Sequence, residues 1–161
     1  RNKLSSVHVT FPTEAHAACL EKVGFHVRKN HQYHWINRGY ENFDEFLSNL
    51  TSRKRKTIRK ERQRIVDAGI TFKALTGDAI TYEHWDKFYQ FYVDTYERKW
   101  GFPYLNRDFF QYVNDTMAKH IVLIMAYEDG NPIAGAFNLL GSDAIYGRNW
   151  GCHQRYKFLH F

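Results

Sequence analysis

The 161-residue chain predicts an α+β fold with a mixed, mainly antiparallel sheet and flanking helices. Three observations predict it. Two stretches, Asn42 to Gly69 and Thr81 to Met117, carry apolar residues at helical spacing. The stretch from Ile121 to Trp150 is instead a series of β-rich runs, broken at Asp129-Gly130-Asn131 and Gly141-Ser142-Asp143. A lone strand-like run, Ile70 to Leu75, separates the two helical stretches. The order is strand, two helices, antiparallel meander.

In chain order, Val7 to Phe11 alternates and is rich in β-formers, which predicts a short strand. Pro12 and Thr13 open a helix with Ala15, Ala18, Cys19 and Val23 on its inner side, stopped by Gly24. Phe25, Val27, Tyr33 and Trp35 fall on alternate positions and predict a second strand, broken near Asn30. Asn42 with Glu45 three residues later resembles a capping box, for a helix with Phe43, Phe46, Leu47 and Leu50 at helical spacing. Thr51-Ser52 caps the next helix, over 52–66. Its apolar positions are few, Ile58, Ile65 and Val66, and Gly69 ends it. Thr81 or Tyr82 begins a long aromatic helix that runs to Trp100 and is apolar on more than one face. Asn106 caps a helix with Phe109, Phe110, Val113 and Met117 inside. Ile121 to Tyr127 is apolar enough to be covered on both faces. Ile133 to Leu140 and Ala144 to Trp150 complete the meander.

Composition narrows the function. An apolar fraction of 43% with 25% charged residues fits a soluble domain with a real core. No apolar run is long enough for a membrane span, and the N-terminus lacks a signal-peptide pattern, so the expectation is a cytoplasmic protein without membrane insertion. The sequence begins without Met and stops at Phe161 without a polar tail, which reads as a piece of a longer protein. Cys19 and Cys152 fit neither a disulfide framework nor a metal motif, and Cys19 is expected to be small and buried. The nine histidines show no metal-ligand spacing, and there is no P-loop, GxGxxG or GxSxG.

The charge is local. The chain has 23 basic and 17 acidic residues, and eight of the basic ones lie between Arg53 and Arg64 with one acid, Glu61. The rest of the chain is nearly neutral. A solvated face is the usual meaning of a charge run, but eight cations with one acid repel one another unless an anion partners them. Arg53, Arg55, Lys56, Arg59 and Arg62 are therefore candidate phosphate ligands. Arg98, Lys99 and Trp100 at the end of the aromatic helix form a candidate substrate rim, against the plain alternative that cations favour a helix C-terminus. Arg148 and Trp150, in Tyr146-Gly147-Arg148-Asn149-Trp150-Gly151, suggest a strand edge over which something passes closely.

These residues, together with Pro132-Ile133-Ala134-Gly135-Ala136 and Phe158-Leu159-His160-Phe161, resemble the FemAB-like predicted N-acyltransferases. That bacterial family belongs to the GNAT superfamily and is related to the peptidoglycan-bridge aminoacyltransferases. The resemblance covers nearly the whole chain. It implies a two-lobed protein, with residues 1–36 the end of a first GNAT-like lobe and 37–161 the start of a second, which is incomplete here. It also implies transfer of an acyl or aminoacyl group to an amine. The GNAT pyrophosphate loop, Gln/Arg-x-x-Gly-x-Gly/Ala, is not reproduced by Gly151-Cys152-His153-Gln154-Arg155-Tyr156-Lys157. The donor is left open between acyl-CoA and aminoacyl-tRNA, and no metal is expected.

Such a reaction needs a proton acceptor for the amine and donors for the oxyanion. Tyr146 and His160 are the candidates for proton transfer, and backbone N–H groups of 146–151 are the candidate oxyanion donors. Arg148 and the basic helix would hold phosphates of an anionic substrate, tRNA among them. The fragment alone is expected to be inactive. The alternative is a non-catalytic module that binds RNA or another polyanion through the basic helix. A purely structural fragment is the third reading.

Overall fold

The computed structural model of the chain describes residues 5–99 and 101–156. Two compact units divide it, Arg1–Glu41 and Asn42–Phe161.

The first unit contains one helix, α1 (Glu14–Lys22), capped by Thr13, whose hydroxyl accepts a hydrogen bond from the His16 N–H at 3.2 Å. The runs Val7 to Phe11 and Phe25 to Trp35 form no strands. Alternation makes a segment able to pair, but a strand also needs a ladder partner, and neither run has one among the described residues. On α1 the partly covered positions are Ala17 and Leu20, whereas Ala15, Ala18, Cys19 and Val23 are exposed. No described residue of this unit is buried.

The second unit is built on a sheet. Helix α2 (Phe43–Ser48) begins at Asn42, whose side chain accepts from the Glu45 N–H at 3.0 Å. Helix α3 (Ser52–Asp67) begins at Thr51, which accepts from the Lys54 N–H at 3.5 Å. Then follow β1 (Thr71–Leu75), α4 (Tyr82–Arg98), α5 (Arg107–Met117), β2 (Ile121–Glu128), β3 (Asn131–Leu140) and β4 (Ile145–Cys152). The strands form one antiparallel sheet in the order β1-β2-β3-β4, so the expected α+β architecture is found.

Strand alternation assigns the two faces of the sheet. Ile121, Leu123 and Met125 of β2 with Phe137 of β3 point to one face, and there meet Trp85, Phe88 and Tyr92 of α4 and Phe110 and Val113 of α5. Trp85 is stacked on Phe110 and edge-on to Phe137, and its indole N–H donates to Asn114 Oδ1 at 2.9 Å. This is the main core.

Two glycines seat α4 on the sheet. Gly135 and Gly151 are cross-strand partners on the inner face. A Cβ on Gly151 would lie 2.5 Å from the carbonyl carbon and oxygen of Phe91, and one on Gly135 would lie 2.8 Å from the Phe88 ring. The helix backbone occupies the space that a side chain would fill. Arg98 completes the seam. Its Nη2 donates to the Cys152 carbonyl at 2.8 Å and to Thr95 Oγ1 at 3.2 Å, and it pairs with Asp94 at 3.6 Å.

Candidate functional site

The opposite face of the sheet carries a different chemistry. Register places Phe72, Ala126, Ala134 and Cys152 in one cross-strand row, and Ala74, Ile124, Ala136 and Trp150 in the next. Small residues in both rows leave a floor low enough for a helix to approach. Over the first row sits α3, through Ile65, in a second cluster with Ile70, Ala126, Ala134, Cys152 and Tyr156. The second row stays open, and between it and α3 lies a cavity of about 600 Å³. Ile124 and Trp150 are 38% and 37% exposed there, so the expectation that β2 is covered on both faces holds for Ala126 and fails at Ile124.

Helix α3 touches this face along a narrow stripe. Ile65 is buried and Ile58 half-buried, while Val66 is 67% exposed. At 100° per residue seven of the eight cations fall into two groups, and Lys54 lies apart from both, on the side of Ile58 and Glu61. Arg55, Arg59 and Arg62 lie together and are occupied by α2 and its C-cap region. Arg55 donates to the Ser48 carbonyl at 3.3 Å, Arg59 pairs with Asp44 at 3.3 Å, and the Arg62 guanidinium lies over the Phe43 ring at 4.3 Å. These three brace one helix against the other.

Arg53, Lys56, Lys60 and Arg64, at successive spacings of three, four and four, form the second group. They point away from the sheet, all are exposed, and none has a side-chain hydrogen bond or ion pair among the described residues. The nearest acid on that side of the helix, Asp67, accepts instead from Gln63 at 2.8 Å. Four like charges within about 17 Å of helix raise the helix's free energy by about 0.2–0.5 kcal/mol for each neighbouring pair. Lys60 and Arg64 were not singled out from sequence. Their spacing from Arg53 and Lys56 is the signal that identifies them.

At β4 the sequence-level pattern is interrupted. Phe137 pairs with Asn149 but Asn138 pairs with Gly147, so Arg148 is an extra residue opposite a continuous β3. This bulge reverses the alternation. Tyr146, opposite Leu139, belongs to the face of the main core, and Trp150, opposite Ala136, belongs to the cavity face. Period-two reading would have put both on one side. Arg148 Nη2 donates to the Tyr104 hydroxyl at 2.6 Å, with its guanidinium 5.7 Å from that ring. Tyr104 in turn packs edge-on against Tyr92 and Tyr96. Burial, then the neighbouring Tyr92 and Tyr104, push the Tyr96 hydroxyl up to about 12, well above the range useful to a base at neutral pH.

Arg98 is committed to the α4–β4 seam. Lys99 is exposed and is the C-cap of α4. Trp100 and His160 lie outside the described residues. What passes closely over β4 at Gly151 is the backbone of α4, whereas a Cβ on Gly147 would meet nothing nearer than Asn138 Oδ1 at 3.7 Å. The segment after β4 turns through Gln154–Tyr156 and is fastened to β2. Arg155 pairs with Glu128 at 2.8 Å, and the Tyr156 hydroxyl donates to the same carboxylate. Burial, and then the hydrogen bond to Glu128, raise the Tyr156 hydroxyl above its ordinary value.

Thus the structure brings Arg62 and Trp150, predicted from separate motifs, to one cavity, and Arg148 to a tyrosine cluster. Among the described residues no three His, Cys, Asp or Glu side chains come together as a metal site, and no helix is long and apolar enough to cross a membrane. No curated protein matches the chain. A family model does, FemAB-like, described as peptidoglycan biosynthesis/recognition, and it matches residues 1–161. A match over every residue takes in the basic helix, the α4–β4 seam and the bulged strand alike, and on that ground the chain belongs to the FemAB-like family.

Proposed function

We propose that the chain is part of a transferase that passes an acyl or aminoacyl group to an amine acceptor in peptidoglycan biosynthesis. The observation that carries the reading is the stripe of Arg53, Lys56, Lys60 and Arg64, four cations held in line on a docked helix without acidic partners. Phosphates of the donor or acceptor would neutralise that stripe, each by a charge-assisted hydrogen bond. The family match supports the chemistry at the level of peptidoglycan metabolism. The two-lobed arrangement, with a boundary near residue 37, and a cytoplasmic location belong to the same proposal.

The chemistry sets the remaining roles. The amine nitrogen attacks the donor's carbonyl carbon, and the carbonyl oxygen becomes an oxyanion that backbone N–H groups can hold. The bulge leaves Arg148 without a partner on β3 while its neighbours stay in register, and N–H groups of 146–151 are the donors we assign. Tyr146 and His160 are the residues we assign to proton transfer, since the amine loses a proton as the new bond forms. Arg148, held by Tyr104, is an additional phosphate ligand, and Arg55, Arg59 and Arg62 position α3. The donor is acyl-CoA or aminoacyl-tRNA.

A donor screen on the full-length protein tests the reading, with acyl-CoA thioesters against charged tRNA and product detected by mass spectrometry. Replacing Arg53, Lys56, Lys60 and Arg64 together with Gln should raise KM for the phosphate-bearing substrate by tenfold or more with a smaller change in kcat, as for loss of uniform binding. Unchanged KM removes the stripe from the site. Salt-dependent RNA binding without transfer from either donor would favour the second reading, a polyanion-binding module, which the same stripe supports.

A further inference from the structure

We infer that the cavity beneath α3 is a binding site for a compact apolar zwitterion, an α-amino acid with an aromatic or aliphatic side chain. Its volume of about 600 Å³ lies within the range of small-molecule sites. Twelve of its fourteen lining residues are apolar or glycine, with Ile124, Ala136 and Trp150 as the open floor. The two exceptions are neighbours of opposite charge, Glu61 and Arg62.

Those two charges do not serve each other. No ion pair joins them, and the carboxylate of Glu61, a half-buried residue and the single acid between Arg53 and Arg64, has no hydrogen bond or ion pair among the described residues. Arg62 is placed by stacking on Phe43, a contact that uses the face of the guanidinium and leaves its in-plane N–H groups available. The site therefore offers one acceptor for an ammonium, a planar donor set for a carboxylate, and an apolar floor for the side chain. A simple fatty anion would leave Glu61 unmatched, and a simple amine would leave Arg62 unmatched. A zwitterion satisfies both.

Lys56 and Lys60 lie on the far side of α3 from Ile65, which faces the sheet, and none of the four stripe cations lines the cavity, so this site is separate from the proposed phosphate stripe. It stands whether or not that stripe binds phosphate.

Isothermal titration of the full-length protein with L-phenylalanine, phenethylamine and 3-phenylpropanoate tests the inference. Phenylalanine should bind saturably at one site, and each singly charged analogue should bind about tenfold or more weakly, the loss of one charged hydrogen-bonded partner. Glu61→Gln should weaken phenylalanine and leave 3-phenylpropanoate unchanged or tighter. Arg62→Gln should weaken phenylalanine and leave phenethylamine unchanged or tighter. Ala136→Phe, which fills the floor, should abolish binding of all three. Absence of saturable phenylalanine binding, or equal affinity for the three probes, overturns the proposal. So does a charge variant that loses no discrimination. If Ala136→Phe fails to fold, as circular dichroism would reveal, the two rim variants decide the matter.

Discussion

Gly147 and Gly151 are four residues apart on β4, and the structure gives them opposite burdens. Gly151 faces the backbone of α4, where an added Cβ would come within 2.5 Å of Phe91 main-chain atoms that have no rotamer with which to yield. Gly147 has open space apart from the Asn138 side chain at 3.7 Å. Gly151→Ala should therefore cost about 1–3 kcal/mol by overpacking. Gly147→Ala should fall between neutral and about 1 kcal/mol stabilising, since alanine narrows the unfolded ensemble without a clash. Urea unfolding of the two variants measures the difference. Equal midpoints would show that α4 can lift from the sheet at little cost. From sequence both glycines read as one close-approach motif, because a strand glycine announces that something is near without saying what. At Gly151 that neighbour is the protein itself. Arg98 teaches the same point. A cation in the last turn of a helix fits a substrate rim, yet its guanidinium serves the Cys152 carbonyl and Thr95.

Local signals carried the helices well, because a cap acts within four residues of the place where it is read. Asn42, Thr51, Thr81 and Asn106 each accept a hydrogen bond from the N–H three residues on. The strands of the meander were equally legible, since Asp129-Gly130-Asn131 and Gly141-Ser142-Asp143 bring consecutive runs together as hairpins. Val7 to Phe11 and Phe25 to Trp35 lacked that local closure, and pairing across distance is not written in a single strand's pattern. Helix α3 is the element whose attachment is thinnest. Its one buried side chain is Ile65, supplemented by half-buried Ile58 and the contacts to α2. Ile65→Ala should cost about 2–4 kcal/mol, a cavity in the smaller cluster, and the loss should be local. Hydrogen exchange should speed in α3 while the amides of α4 and β2, held by the main core, keep their protection. Equal loss of protection in α4 would mean that the two faces of the sheet unfold as one.

At the scale of the molecule, the candidate site depends on relations that no linear pattern contains. Arg62 and Trp150 line one cavity because the register sets Trp150 beside Ala136 and because α3 crosses the small residues of the outer face. The bulge at Arg148 then decides which side chains of β4 share a face, and one inserted residue reverses the answer. The chemistry of the parts was readable, their grouping was not. The same view separates the two units by what each buries. The unit Asn42–Phe161 has a core in which Trp85, Phe88, Tyr92, Ile121, Leu123, Met125 and Phe137 are each no more than 2% exposed. Among the described residues of Arg1–Glu41 none is buried, and Val7, Phe11, Tyr33 and Trp35 are exposed. Burial of apolar surface is what offsets chain entropy, so cooperative stability should reside in the larger unit. Residues 42–161 produced alone should unfold in a single transition and keep the near-ultraviolet circular dichroism of a buried tryptophan. Residues 1–41 produced alone should show no cooperative transition on heating. A sigmoidal melt for the shorter piece, or its absence in the longer one, would locate the folding information elsewhere than in the contacts that surround the α4–β4 seam.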